Sequence, residues 1–211
     1  MTVSREELIK NTKQKLLALA SIKEQKFKVM MEAAKILTEH MEHHNPYNRI
    51  HAQPIIVGGL SVEIYTQNNY TTRDIDIVSS SSIRLREDLK DMGFDKSSRV
   101  FVLEELELVI DVVDSELYGD YDKVTKFQFI DENGEEAYVY VISIEDIILD
   151  RLDGSEHETN RYWGFNMLSR YFHMVDLDYM KKEVSTKYKS TQEMFDSWVE
   201  VIEKEKEKQE E

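Results

Sequence analysis

The chain has 211 residues, of which 42 are Asp or Glu, 27 are Lys or Arg and none is Cys, so its formal net charge is −15 at pH 7. Such a length supports one substantial hydrophobic core or two small ones, and the lack of cysteine excludes disulfides and thiolate chemistry. The acidic charge argues against tight general binding of DNA or RNA, and no apolar run approaches the ~20 residues that span a bilayer, so we expect a cytoplasmic protein that does not enter a membrane.

The N-terminal segment, residues 1–48, has a helical pattern. A capping-box sequence, Ser4-Arg-Glu-Glu7, opens it, and apolar residues recur every three or four positions as far as Leu37. This pattern predicts one long helix or two stacked helices over roughly 5–43. We expect this segment either to cover a sheet or to form a homodimer interface.

Two histidines close this helical segment. His40 and His44 are four residues apart, a spacing that places two metal ligands on one helix face. Positive charge at a helix C-terminus also favours the helix dipole. We interpret these histidines as a solvated helix end.

Residues 49–142 have the mixed pattern of an α/β core, and residues 143–211 are helical in pattern. The core predicts strands at 54–57, 73–78, 99–103, 107–113, 127–130 and 137–142, and helices at 60–66 and 83–91. Asn133-Gly134 predicts a hairpin with a type I′ turn. The C-terminal region predicts helices near 143–152, 159–173, 176–184 and 191–208, with a charged tail that is a frayed helix or disordered. The predicted fold class is α+β, a mixed sheet flanked by helices.

Two aspartates one residue apart mark the second predicted strand. Asp74 and Asp76 alternate with isoleucines in the sequence Thr72-Arg-Asp-Ile-Asp-Ile-Val78. Because side chains alternate along a strand, both carboxylates lie on one face and both isoleucines on the other. Two carboxylates on one face repel each other, and a divalent cation such as Mg2+ relieves that repulsion. The pattern therefore indicates a metal site, although the wet face of an edge strand gives the same spacing.

A third carboxylate interrupts a later apolar strand. Asp111 lies in the sequence Leu106-Glu-Leu-Val-Ile-Asp-Val-Val113, where an acidic group is unfavourable without a partner. If this strand lies beside that of the first two acids, three carboxylates converge and hold two metal ions roughly 3.5–4 Å apart. The alternative is that Asp111 faces solvent together with Glu105 and Glu107.

A double glycine precedes the acids. The sequence Pro54-Ile-Ile-Val-Gly-Gly-Leu-Ser61 takes a short apolar strand into Gly58 and Gly59. Glycine lets the backbone approach a ligand closely, and a helix N-terminus behind it favours anions. A plain strand-to-helix turn also explains the glycines. Together with the acids, they suggest a site for metal and nucleotide phosphate.

At these residues the chain resembles the nucleotidyltransferase superfamily that includes DNA polymerase β. The family pattern is Gly-Gly or Gly-Ser, a spacer, Asp-apolar-Asp, and a third acid on a later strand. Here the pattern is occupied by Gly58-Gly59, Asp74-Ile-Asp76 and Asp111. The chain is similar to a bacterial subgroup that includes abortive-infection toxin nucleotidyltransferases, which also shares the sequence Ser143-Ile-Glu-Asp146. The resemblance covers roughly residues 50–180.

The resemblance implies a role for each matching residue. The catalytic acids that bind Mg2+ or Mn2+ are Asp74, Asp76 and Asp111. The residues that hold the triphosphate of a donor NTP, such as ATP, are Gly58, Gly59 and Ser61. Arg73 and Arg151 are further nucleotide-binding candidates, although Arg73 starts on the face opposite Asp74 and is equally suited to a structural ion pair.

Two positions depart from the family pattern. Many members carry a lysine near the nucleotide where this chain has Asp150-Arg151, and a Lys-Asp or Arg-Asp pair in the next helix where it has Asn160-Arg161. Arginine can hold a phosphate but cannot serve as an ordinary proton donor. These departures bear on activity more than on fold.

Three hypotheses follow. The first is a metal-dependent nucleotidyltransferase that moves an NMP group from an NTP to a hydroxyl of a small molecule or protein, with a tRNA end disfavoured by the acidic charge. The second is a catalytically inactive protein of this fold that binds nucleotide or serves as a subunit of a toxin–antitoxin or defence pair. The third is an interaction module whose N-terminal helices are the working part.

Overall fold

The computed structural model describes residues 3–43 and 49–210, and the chain divides into two compact units, Met1–Ile142 and Ser143–Glu211. The described residues form eight α-helices and a seven-stranded mixed sheet, which confirms the predicted α+β class. Within these two ranges, no helix combines the length and apolar character needed to cross a membrane.

The first unit contains the whole sheet. Its helices are α1 (Arg5–Ala18), α2 (Lys26–Glu42), α3 (Gly58–Tyr65) and α4 (Ser82–Asp91). Its strands are β1 (Ile55–Val57), β2 (Ile75–Val78), β3 (Asp95–Ser97), β4 (Val100–Leu103), β5 (Leu108–Asp114), β6 (Thr125–Ile130) and β7 (Glu136–Val141). The strand order is β3-β4-β5-β2-β1-β7-β6, with β2 parallel to β5, β1 parallel to β7 and the other neighbours antiparallel. The predicted acids and glycines therefore belong to the three central strands or adjoin them.

One face of the central strands is apolar. Ile75 and Ile77 of β2 lie beside Ile110 and Val112 of β5, and all four side chains are fully buried. Since side chains alternate along each strand, the acids belong to the other face. One face of the sheet therefore packs against the apolar core, and the other face carries the polar candidate site.

The N-terminal segment forms two helices, which was one of the two predicted arrangements, joined through a 3-10 turn at Leu19–Ile22. α2 packs on β7 of the sheet. Its buried residues include Val29, Met30, Met31, Ala33, Ala34, Ile36, Leu37 and Met41. These helices are therefore part of the core of the first unit, as expected if they cover the sheet.

The prediction of a solvated helix end at His40 is wrong. The residue is only 1% exposed. Its Nε2 lies 2.9 Å from Asp88 Oδ2 in α4, and its Nδ1 lies 2.9 Å from Thr12 Oγ1 in α1. His40 lies on the face of α2 that packs against the core. Its burial is tolerated because the Asp88 carboxylate is a hydrogen-bonding partner for the buried imidazole. His44 lies outside the described residues.

Two local features of the sheet differ from the sequence predictions. β3 consists of three exposed polar residues without apolar alternation, so no pattern predicts it. The turn after β6 is not type I′, because Gly134 has a φ of +83° but Asn133 has no positive φ. Instead, Asp131 Oδ1 accepts hydrogen bonds from the N–H groups of Asn133 at 2.8 Å and Glu135 at 2.9 Å. The carboxylate organises a longer loop, while the predicted hairpin itself is confirmed.

The second unit is entirely helical where the structure describes it. Its helices are α5 (Ile144–Asp153), α6 (Glu158–Tyr171), α7 (Leu177–Val184) and α8 (Lys189–Glu210). Ser143 caps α5 by accepting a hydrogen bond from the Asp146 N–H at 3.0 Å. Tyr179 of α7 donates to Asp146 Oδ1 at 2.6 Å, and the Asp176 N–H donates to Glu145 Oε1 at 2.9 Å. The Ser-x-Glu-Asp sequence thus opens one helix and fastens it to α7.

Candidate active site

Gly58 and Gly59 form the first turn of α3 and pack closely against polar side chains. Gly58 has a φ of +58°, and a Cβ atom there would lie 2.0 Å from Asp76 Oδ2. A Cβ atom on Gly59 would lie 2.4 Å from Thr72 Oγ1, and the Gly59 N–H donates to Asp76 Oδ2 at 3.3 Å. Both glycines are therefore required by contacts with the acid motif, and not only by the turn from strand to helix.

Ser61, a predicted phosphate contact, is fully buried. Its Oγ donates to the carbonyl oxygen of Gly58 at 2.8 Å. The hydroxyl therefore braces the glycine turn from within the same helix.

The register of three strands positions the acids. Asp76 of β2 lies opposite Val57 of β1 and directly beside Asp111 of β5. Asp74 immediately precedes β2, rather than lying within it as predicted, and is two residues from Asp76. Asp74 and Asp76 are half-buried. The central pair of carboxylates thus comes from two parallel neighbours in register.

Asp111 is the most buried of the three acids, so the alternative that it faces solvent is wrong. The residue is 3% exposed, and its Oδ1 is buried with no hydrogen-bond partner. Its Oδ2 lies 2.7 Å from Nε of Arg99, whose side chain is 72% exposed. Arg99 precedes β4, which pairs with β5 so that Val100 lies opposite Asp111. One oxygen of Asp111 is therefore neutralised by an exposed cation and the other is unsatisfied.

Hydrogen bonds fix the loop that precedes β2. Thr72 Oγ1 donates to Asp74 Oδ1 at 2.8 Å, and the Thr72 N–H donates to Glu63 Oε2 at 3.0 Å. Glu63 is 3% exposed in α3, and burial raises the pKa of its carboxyl although the Thr72 hydrogen bond acts in the opposite direction. Glu63 and Thr72 therefore position Asp74. The sequence signal for Glu63 is an acidic residue among apolar ones in a short helix.

The donor set fits a hard cation at one atom in particular. The unsatisfied Oδ1 of Asp111, next to Asp76 in the sheet, is costly to bury unless a cation or a proton binds it. Within residues 3–43 and 49–210, however, no three His, Cys, Asp or Glu side chains form a group able to hold a metal ion. Asp76 and Asp111 are neighbours in the strand pairing, but one oxygen of each of the three acids already contacts a protein donor, and Oδ1 of Asp111 does not.

The two candidate arginines belong to different units. Arg73 is exposed and forms no ion pair with the described residues, so its suggested structural ion pair is not observed. Arg151 in α5 is largely buried, and its Nη1 donates to Asn160 Oδ1 in α6 at 2.9 Å. Asn160 Nδ2 in turn donates to the carbonyl oxygen of Gly154 at 3.1 Å. The two departures from the superfamily pattern are therefore in contact, and together they brace α5 against α6.

A family model described as "Nucleotidyltransferase of unknown function (DUF6036)" matches residues 26–206. The chain belongs to this nucleotidyltransferase family. The match begins at the first residue of α2 and ends within α8, so it extends beyond the 50–180 range covered by the sequence motifs. No curated protein and no solved structure matches the chain.

Proposed function

We propose that this nucleotidyltransferase-family protein transfers an NMP group from a metal-bound NTP to a hydroxyl of a small molecule or protein. The observation that carries the proposal is the register of β2 and β5. It sets Asp76 beside Asp111, whose Oδ1 is buried and unsatisfied, and Gly58 packs against the same Asp76. Neighbouring buried carboxylates destabilise a fold because they repel each other, and a bound cation relieves that repulsion, so such a pair is typical of a cation-dependent active site.

The chain's own residues have separate tasks in this transfer. The first turn of α3, at Gly58 and Gly59, presents a helix N-terminus to the phosphates of the donor. Asp74, Asp76 and Asp111 are the residues that would hold Mg2+ or Mn2+, and the ion would neutralise charge on the phosphates. Positioning and charge neutralisation supply most of the catalysis in reactions of this kind.

The unsatisfied oxygen of Asp111 has a direct role. Its Oδ1 accepts the proton of the acceptor hydroxyl while the hydroxyl oxygen forms a bond to the α-phosphorus of the NTP. The bond from the α-phosphorus to the bridging oxygen breaks, and pyrophosphate leaves with that electron pair. The products are the nucleotidylated acceptor and pyrophosphate.

One observation favours a second candidate, a nucleotide-binding protein of this family without catalysis. Arg99 pairs with Asp111 Oδ2 and supplies the positive charge that a metal ion otherwise brings. A protein that keeps this ion pair binds nucleotide without releasing pyrophosphate. Membership of a toxin–antitoxin or defence pair belongs to this second candidate.

Thermal unfolding with ATP, GTP, CTP and UTP, each with and without Mg2+ or Mn2+, tests the proposal. We expect one nucleotide to raise the Tm only with metal, because a ligand at ~100 times its Kd stabilises a protein by about 2.7 kcal/mol. Asp76→Asn should abolish this rise. The matched control is Asp95→Asn, an exposed carboxylate in β3.

The outcomes separate the candidates. A metal-dependent shift that Asp76→Asn removes and Asp95→Asn keeps supports the metal and nucleotide site. Release of pyrophosphate from the stabilising nucleotide then supports transfer over binding alone. If no nucleotide shifts the Tm with either metal, the proposal is wrong.

A further inference from the structure

A cavity of about 420 Å³ lies in the first unit beside the loop that carries the acid motif. Most of its lining is apolar, and it includes Val29 and Met30 of α2 and Leu108 and Val109 of β5. The volume lies within the ~300–1,000 Å³ typical of small-molecule pockets. The cavity is thus large enough for a compact organic molecule.

Among the residues that the structure describes, the charged side chains of the cavity leave one positive charge outside any ion pair. Lys26 Nζ lies 2.8 Å from Glu107 Oε2, so these two residues neutralise each other. Arg73 also lines the cavity, is exposed, and forms no ion pair with the described residues. An arginine placed in this way favours an anionic group, which its guanidinium can bind through two parallel hydrogen bonds.

One residue belongs both to the cavity lining and to the candidate active site. Thr72 lines the cavity, and its Oγ1 donates to Asp74 Oδ1 at 2.8 Å. A molecule in the cavity therefore contacts the loop that positions Asp74, and the glycine turn is not part of the cavity lining.

We propose that this cavity binds the acceptor, a small molecule with an apolar body, one anionic group held by Arg73, and the hydroxyl that receives the NMP group. This inference rests on the proposed function. Burial of the apolar body of the molecule against the lining stabilises the complex. The positive charge of Arg73 favours molecules that carry an anionic group. The cavity thereby specifies an acceptor class that the overall acidic charge does not.

Binding of 8-anilinonaphthalene-1-sulfonate, an aromatic anion, tests the cavity in the absence of nucleotide and metal. We expect saturable fluorescence enhancement at one site. Arg73→Gln should weaken this binding about tenfold or more, because it removes the charge-assisted hydrogen bonds of the guanidinium, and Thr71→Trp should abolish it by filling the rim. Thr71 is an exposed lining residue, so this substitution does not disturb the core.

Two controls sharpen the result. N-phenyl-1-naphthylamine, which lacks the sulfonate, should bind equally to wild type and to Arg73→Gln. Lys10→Gln, a change of exposed charge outside the cavity, should leave binding of the anionic probe unchanged. Equal binding of the anionic probe to wild type, Arg73→Gln and Thr71→Trp, or no saturable binding at all, overturns the inference.

Competition assigns the cavity to the acceptor rather than to the nucleotide base. We expect the anionic probe to remain bound when the stabilising NTP is added with Mg2+. Competitive displacement of the probe would place the nucleotide in the cavity and overturn the assignment. Because probe binding needs neither nucleotide nor metal, its failure leaves the nucleotide-binding result standing, and the converse also holds.

Discussion

At the scale of single residues, Gly58 meets two separate demands at one position. Its φ of +58° disfavours any side chain, and the space a Cβ would take is filled by Asp76 Oδ2. Gly134 has a φ of +83° but no atom within 4 Å of a Cβ placed there. A side chain at Gly134 would therefore cause backbone strain alone, whereas a side chain at Gly58 would cause both backbone strain and a steric clash with Asp76.

We expect Gly58→Ala to lower the free energy of unfolding by about 3 kcal/mol or more, because strain and overpacking add. Gly134→Ala should cost only about 1–2 kcal/mol, from backbone strain alone. Urea denaturation followed by circular dichroism measures both. Equal losses in the two variants would show that Asp76 moves aside at little cost.

The ion pair between Arg99 and Asp111 supports a second prediction. Arg99→Gln removes the positive charge that lies 2.7 Å from Oδ2 of Asp111, a residue that is almost fully buried. We expect lower stability without metal, by about 1–2 kcal/mol because Arg99 is itself exposed to solvent. We also expect a larger rise in Tm on adding Mg2+, since the cation then neutralises an unpaired carboxylate.

Thermal unfolding with and without Mg2+ measures both effects of Arg99→Gln. The control is Lys96→Gln, which removes an exposed positive charge from the neighbouring strand β3. If Mg2+ stabilises Arg99→Gln no more than it stabilises wild type, the cation does not compete with Arg99 for Asp111.

At the scale of elements, Lys35 of α2 is tied to the loop between β6 and β7. Its Nζ lies 2.6 Å from Asp131 Oδ2. The Lys35 hydrogen bond is the main cause that lowers the pKa of Asp131 to about 2, with help from the N–H groups of Glu135 and Asn133. A depressed carboxyl pKa stabilises the fold above the unfolded-state pKa, near 3.9, and this contribution is lost as pH falls towards 2.

We therefore expect Asp131→Asn to cost about 1 kcal/mol at pH 7, since solvent screens part of the pair. The difference from wild type should be constant between pH 7 and 5 and should shrink below pH ~4. Urea midpoints at pH 7, 5, 3.5 and 2.5 measure it, with Asp95→Asn, a change of an exposed carboxylate in β3, as the control. A difference that persists unchanged at the lowest pH would mean that the Asp131 charge is not its source.

The sequence predicts most of the helices and strands because apolar periodicity reflects burial directly. It fails where another interaction decides the conformation. β3 is held by pairing with β4 and has no buried face, so its side chains carry no pattern. The conformation of the loop at Asn133-Gly134 is set by hydrogen bonds to the Asp131 carboxylate and not by the preference of Asn-Gly for a type I′ turn. His40 can be buried because the Asp88 carboxylate, on another helix, is a hydrogen-bonding partner for its ring.

Some features of the candidate site can likewise be predicted from the sequence, and others cannot. Spacing and alternation predict that Asp74 and Asp76 share a face, and the parallel pairing of β2 and β5 places Asp111 beside Asp76. The ion pair between Arg99 and Asp111 could not be predicted in this way. It depends on the pairing of β4 with β5 and on the direction of the Arg99 side chain, which residue spacing does not determine. The role of Glu63 depends on a hydrogen bond from a loop nine residues away along the chain.

At the scale of the whole molecule, the net charge of −15 limits the acceptor. Nucleic acids bind basic surfaces through release of counterions, and a strongly acidic protein repels them. We expect fluorescence anisotropy to show no saturable binding of labelled tRNA or single-stranded DNA even at 50 mM salt. Affinity in the ~10⁻⁴ to 10⁻⁶ M range of non-specific binders, weakening as salt is added, would restore a tRNA end as an acceptor.

The register between β2 and β5 has a consequence for how this site can change over evolution. Loops tolerate insertions, but one residue gained or lost inside either strand inverts every side chain beyond it and moves a carboxylate into the apolar layer. The register shift between Ile77 and Val78 falls after the Asp76–Asp111 pair, so the pairing changes phase only beyond the acids. Length variation is therefore expected to accumulate outside these strands, while an inherited insertion between Ile75 and Ile77 would erase the site in a single step.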